Sequence, residues 1–228
     1  MKQKMLAVLA PFLFVACADV DEHTVRVLMA TGEGDIEIEL YPDRAPVTAG
    51  NFLKLVDGGH LDGGSFYRVV TYENDNGNPK IEVIQGGLNA PIPVVRIMSA
   101  TTSNGTTVIE EAEPQPVDSA QPFETIAHET TEQTGILHED GVISMARGDV
   151  GTANTEFFIC IGDQPGLDYG NTRNPDQQGF AAFGRVVSGM DVVKRINGLP
   201  ADAPSDSEYT KGQILTEPVP ILSVRRID

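Results

Sequence analysis

The chain has 228 residues, 40% of them apolar, with 15 Pro and 23 Gly, the profile of one globular domain with a short tail rather than of a fibrous or disordered chain. Sixteen Lys and Arg stand against 33 Asp and Glu, a net charge of -17, and no stripe of clustered basic residues occurs. That balance argues against nucleic acid as a partner and favours a soluble monomer kept apart from its copies by self-repulsion.

Residues 1–16 read as a secretion leader. Lys2 and Lys4 make a positive start, and Met5 to Val15 is almost wholly apolar yet too short to span a bilayer. The ending Phe14-Val15-Ala16-Cys17 resembles a bacterial lipobox, with Phe14 where an aliphatic residue is usual. The resemblance implies lipid attachment at Cys17, a tether over residues 17–24 and a membrane contact through the lipid alone. Ala18 in place of Asp implies export to the periplasmic face of the outer membrane. A plain signal peptide, cut near a coincidental cysteine, is the alternative. Removal of residues 1–16 leaves 14 basic residues against 33 acidic, a balance of -19. Cys160, the other cysteine, then has no disulfide partner, and its place at the end of the run Phe157 to Cys160 marks it as a buried, inert thiol.

The domain itself, residues 25–228, opens with strand signals. Val25, Val27 and Met29 alternate with other residues, Thr31 to Gly34 supplies a turn, and Ile36, Ile38 and Leu40 alternate with Asp35, Glu37 and Glu39. Two period-two runs around a Gly-containing turn predict a hairpin with one wet face. A helix follows, with Pro46 in its first turn, Phe52, Leu55 and Val56 at helical spacing, and Gly58-Gly59 as its stop. Further strands are predicted at 66–70, 81–85, 142–145, 157–161, 180–187 and 220–224, with a short helix at 190–196 between the last two. Eight short strands, two short helices and no βαβ alternation define an all-β chain, and a closed, eight-stranded antiparallel barrel leaves no strand edge exposed. Insertions at 71–80, 88–121 and 169–178 read as surface loops.

Conventional catalytic patterns are lacking. His23, His60, His128 and His138 show no His-x-x-x-His spacing, and there is no Cys-x-x-Cys, so no metal site is expected. Segment 163–179 is rich in Asp, Asn and Gly but lacks the acidic ladder of a calcium loop, and reads as a solvated loop. Neither a Gly-x-Ser-x-Gly elbow nor a phosphate-cradling loop occurs, and no cofactor is implied.

Five blocks remain: Phe66-Tyr67-Arg68-Val69-Val70, Val83-Ile84-Gln85-Gly86-Gly87, Val142-Ile143-Ser144-Met145-Ala146-Arg147, Phe157-Phe158-Ile159 and Phe183-Gly184-Arg185-Val186. In order and spacing they resemble the cyclophilins, as do Ala45-Pro46, Asn51-Phe52 and Gly189-Met190-Asp191-Val192-Val193. The resemblance implies a peptidyl-prolyl cis-trans isomerase that takes proline-containing segments of exported proteins. It implies that Arg68 is the catalytic donor to the prolyl nitrogen and that Gln85 orients it. It implies Phe158 as the floor of a proline pocket, Val83 and Leu167 as its walls, and backbone groups of Ala146 and Arg147 as the grip on the residue before proline.

There are departures. Phe180 stands where many relatives have a histidine, Gly166 where many have a tryptophan, Glu82 where an aromatic is usual, and Glu156 in place of a glutamine beside the substrate. They imply a thinner pocket wall, altered efficiency and weak binding of the cyclic peptide cyclosporin. The competing readings are a non-catalytic module that grips proline-containing peptides and a tethered structural lipoprotein. Pairing of Arg68 with Glu82 or Glu156 would favour the first of these.

Overall fold

The computed structural model describes residues 23–88, 101–103, 106–108 and 123–227. The expected leader, Cys17, most of the tether and most of the 88–121 insertion lie outside them.

Eight strands close into an antiparallel barrel in the order β1-β10-β3-β4-β8-β7-β9-β2. They are β1 (Val25–Thr31), β2 (Gly34–Leu40), β3 (Ser65–Val70), β4 (Val83–Gly87), β7 (Val142–Met145), β8 (Phe157–Cys160), β9 (Ala181–Ser188) and β10 (Ile214–Ile227). A separate small hairpin, β5 (Thr101–Ser103) with β6 (Thr106–Val108), lies within the 88–121 insertion, which is therefore more than a plain loop.

The opening hairpin forms as its alternation dictates. Val27, Met29, Ile36, Ile38 and Leu40 are fully buried, while the intervening Glu37 and Glu39 face outward and pair with Arg26. Helix α1 (Pro46–Asp57) starts on Pro46 and buries Phe52, whose ring meets Phe157 edge-on at 5.5 Å and Phe183 at 5.2 Å. Phe66 joins Phe157 in the same core. Truncating any one of these aromatic rings to Ala would cost about 3–5 kcal/mol, a large part of a domain's net stability. Helix α3 (Met190–Asn197) packs Val193 and Ile196 into the core. Its last residue, Asn197, donates to the carbonyls of Val70 (3.1 Å) and Val83 (3.3 Å), pinning β3 and β4 where they part.

Several element bounds differ from the sequence reading. Strand β4 runs over Val83–Gly87 rather than 81–85, because Ile81 is held by its N–H to the Asp75 carboxylate instead of a ladder partner. Strand β10 is far longer than 220–224, since it changes register between Ile214 and Val219 and pairs with both β1 and β3. One further helical turn, α2 (Thr131–Thr134), carries a capping box between Thr130 and Gln133 and ends on the left-handed Gly135.

The most consequential difference lies in β3. Phe66 pairs with Gly86 but Arg68 with Gln85, so Tyr67 is an extra residue and the strand is bulged. Arg68 therefore does not share a face with Phe66. Phe66 and Val69 point into the barrel core, and Val70 belongs to a second cluster outside it.

Candidate active site

That second cluster comprises Val70, Ile81, Val83, Phe158, Cys160 and Leu167, with Ala146 and Phe180 packed against it. Strand pairing places Arg68 opposite Gln85, and Gln85 opposite Phe158, so the three stand in one row across β3, β4 and β8. Neighbouring strands lie roughly 4.8 Å apart, which spreads the row over about 10 Å, the scale of a prolyl ring and its preceding amide. The sequence-predicted residues are thus brought together on the outer wall of the barrel.

Arg68 is held by two neutral amides. NH1 donates to Oε1 of Gln85 at 2.8 Å, while Nε and NH2 both donate to Oε1 of Gln213 at 2.9 and 2.6 Å. Of the five N–H groups of a guanidinium, these bonds leave one on each terminal nitrogen without an acceptor among the described residues. No carboxylate of those residues pairs with Arg68, so neither Glu82 nor Glu156 occupies it.

The orientation of both amides follows from their other ends. Gln213 is fully buried, and its Nε2 donates to the carbonyl of Asn74 at 2.8 Å, which turns its oxygen to the guanidinium. Nε2 of Gln85 donates to the Tyr67 hydroxyl at 2.9 Å, and that hydroxyl donates to Oε2 of Glu156 at 2.5 Å. The hydroxyl has a single proton, which goes to Glu156, and it is left to accept from Gln85. Glu156 is thus a buried anchor of this network, its Oε1 also accepting from the N–H of Leu88 at 2.7 Å.

Phe158 stands at the centre of the second cluster, next to Gln85 in the row. Phe180 meets its ring edge-on at 5.3 Å, and the buried His138 stacks behind it at 5.9 Å. His138 Nδ1 lies 2.8 Å from Asp168 and Nε2 lies 3.0 Å from the Ser144 hydroxyl. This has the connectivity of a hydrolase triad, but Ser144 is fully buried and no substrate carbonyl can reach its oxygen. Burial holds the imidazole below its ordinary pKa against the opposing pull of Asp168, so at neutral pH it is an uncharged brace for Phe158.

Leu167 and Asp168 are buried within 163–179, which is accordingly part of the wall and not a plain solvated loop. Arg147 folds over Phe180, its guanidinium carbon 5.3 Å from the ring centre, and is fixed by the Gly179 carbonyl and by Asp176 at 2.8 Å. The Ala146 N–H is used by the Glu156 carbonyl at 2.8 Å. Cys160 is fully buried, and burial pushes its thiol well above the ordinary range.

The wall at Gly166 is not thin. A side chain there would begin 2.5 Å from Cγ of Pro79, so the 71–80 insertion already fills that space. The contributors not legible as site residues include Tyr67, Pro79, His138, Gln213 and Tyr209, whose ring centre lies 5.2 Å from the Arg68 guanidinium carbon. The first lies inside a recognised block, but Gln213 follows a lone glycine in a polar stretch with no periodic signal.

Among the described residues, no group of three or more His, Cys, Asp or Glu side chains is arranged to hold a metal ion. The site brings together two anchored cations, Arg68 and Arg147, and an apolar cluster around Phe158.

Residues 26–226 match the family described as cyclophilin type peptidyl-prolyl cis-trans isomerase/CLD. A peptidyl-prolyl cis-trans isomerase of Acinetobacter baylyi is 28% identical over 200 residues, covering 87% of this chain and 84% of its own length. A peptidyl-prolyl cis-trans isomerase-like 1 protein of Rhizopus delemar is 32% identical over 179 residues, covering 78% of this chain and 83% of its own. The crystal structure of a cyclophilin type isomerase of Cryptosporidium parvum superposes with a TM-score of 0.58 at 17% identity, over 90% of this chain and 99% of that one. A second crystal structure of that protein, in the presence of the dipeptide Ala-Pro, gives 0.56.

Proposed function

The chain belongs to the cyclophilin-type peptidyl-prolyl cis-trans isomerase family, and we propose that it turns X–Pro bonds of exported proteins with Arg68 as the catalytic group. An X–Pro bond rotates over a barrier of about 18–20 kcal/mol because the amide is resonance-stabilised. Rotation breaks that resonance and localises a lone pair on the prolyl nitrogen. A donor fixed at that nitrogen favours the twisted state over either planar isomer, which is the requirement for catalysis. The observation that carries this reading is the Arg68 guanidinium, oriented by Gln85 and Gln213 with N–H groups to spare, in one row with the Phe158 floor. The pocket of Phe158, Val83, Leu167 and Phe180 would take the prolyl ring, and the chain before it would run toward Ala146 and Arg147. No bond is made or broken, so neither nucleophile nor cofactor is called for.

Exchange NMR on a short Ala-Pro peptide, with the full chain and its Arg68→Ala variant, tests this. Acceleration that falls about 10²–10³-fold in the variant supports it, the range for losing one preorganised donor. Peptide shifts without acceleration would replace it with a peptide-binding module.

The lipobox-like ending at Cys17 supports a lipid anchor facing the periplasm as part of the same proposal. Metabolic labelling with a fatty acid in a bacterial host should mark the wild type and spare Cys17→Ser. Equal labelling of the two, or none of the wild type, rejects the anchor.

A further inference from the structure

The insertions at 71–80 and 169–178 are joined by an ion pair that water does not reach. Arg173 meets Asp75 at 2.5 and 2.9 Å, with side-chain exposures of 2% and 0%. Asp75 also accepts the N–H groups of Gly77 and Ile81, and a side chain at Gly77 would strike the Arg173 guanidinium at 2.5 Å. The same guanidinium donates to the Pro79 carbonyl at 2.6 Å and to the Tyr209 hydroxyl at 2.9 Å. Pro79 is thereby set at Gly166, and Tyr209 is set beside Arg68, whose guanidinium carbon lies 5.2 Å from the Tyr209 ring centre.

A buried ion pair is weak evidence of added stability, because desolvation offsets much of its attraction. Here its geometric effect is definite: it fixes an aromatic ring that remains 47% exposed next to the catalytic arginine. An immobilised ring gives contact area to a ligand at little entropic cost. The ring stands against Arg68 on β3, while Ala146, after β7, packs on the Phe158 cluster at the other end of the order β3-β4-β8-β7, so the two lie on opposite flanks of the row. With the residue before proline on the Ala146 side, the residue after proline falls on the Tyr209 side. Asp75 already neutralises Arg173, so that side chain offers no attraction to a substrate carboxylate.

We propose that Tyr209, clamped by the Asp75–Arg173 bridge between the two insertions, is a specificity-determining contact that selects an aromatic side chain directly after the substrate proline. The inference rests on the isomerase reading of the Arg68 row for the direction of the bound peptide.

The test compares the peptides Gly-Ala-Pro-Phe-Gly and Gly-Ala-Pro-Gly-Gly, titrated by NMR into the full chain and into its Tyr209→Ala and Tyr209→Phe variants. The wild type should bind the Phe peptide about threefold to tenfold more tightly, the range for one aromatic pair. Tyr209→Ala should bring that ratio to near one, and Tyr209→Phe, which keeps the ring but loses the hydroxyl that Arg173 holds, should lower it only part way. A wild-type ratio of one, or a ratio that survives Tyr209→Ala, overturns the proposal. Isomerisation is read on the same samples from exchange rates. Absence of catalysis would defeat the isomerase reading while the affinity ratio still decides the role of Tyr209.

Discussion

One oxygen, Oε1 of Gln213, accepts from both Nε and NH2 of Arg68, at 2.9 and 2.6 Å. Together with Gln85 on NH1 it fixes the guanidinium plane from two sides, using neutral acceptors that leave the full positive charge for the substrate. A carboxylate in either place would have drawn that charge away.

Gln213→Leu should therefore lower kcat/KM about tenfold or more while leaving peptide affinity nearly unchanged. A tenfold loss corresponds to about 1.4 kcal/mol, the worth of one net hydrogen bond to a charged group. Exchange NMR gives the rate and a titration gives the affinity. An unchanged rate would show that Gln85 alone suffices to aim Arg68.

Much of this was legible in the residues. The alternation of Val27, Met29, Ile36, Ile38 and Leu40 predicts the opening hairpin, and the five blocks that resemble cyclophilins contain Arg68, Gln85 and Phe158. What escaped notice has physical causes. The bulge at Tyr67 adds one residue without changing composition, whereas simple alternation along 66–70 would place Arg68 on the face of Phe66. Thr130, Gln133 and Gly135 do spell a capped helical turn, but one turn buries too little to show periodicity. Gln213 and Tyr209 reach the site from about 140 residues away along the chain, a separation that no local pattern encodes. Pro79 and Arg173 meet only because two polar insertions fold onto each other through Asp75.

Gly166→Trp should fail to rebuild the pocket wall that many relatives have. Its Cβ would sit 2.5 Å from Pro79, a ring that its neighbours hold in place. Overpacking of this kind costs about 1–3 kcal/mol, visible as a lower urea midpoint. Cyclosporin binding should be weak in the wild type, where Pro79 and Phe180 replace the tryptophan and histidine, and Gly166→Trp should not strengthen it. Tight binding by calorimetry in either protein would contradict this assignment of the wall.

Cys160 should resist alkylation in the native protein. The thiolate is the reactive form, and complete burial both blocks access and disfavours that form. Iodoacetamide should leave Cys160 unmodified over hours in buffer at pH 8 and modify it within minutes in guanidinium chloride. Fast native labelling would mean that β8 opens readily, and with it the floor at Phe158.

Acid should loosen the pocket rim before it unfolds the barrel. The hydrogen bonds from Arg147, opposed in part by burial, bring the Asp176 carboxyl from 3.8 down to about 2. Asp75 is also held below its usual range. Burial opposes this, but the hydrogen bonds from Arg173, Gly77 and Ile81, with the charge of Arg173, outweigh it. A carboxylate whose folded pKa is depressed stabilises the fold fully above its unfolded value and loses that contribution as pH falls through the folded one. For Asp176 the window runs from about pH 4 down to about pH 2. Urea midpoints measured across this window should fall more steeply for the wild type than for Asp176→Asn, with the two converging at its acid end. Parallel slopes would mean that the Arg147–Asp176 contact is not formed in solution, and Arg147 would then be free to leave the face of Phe180.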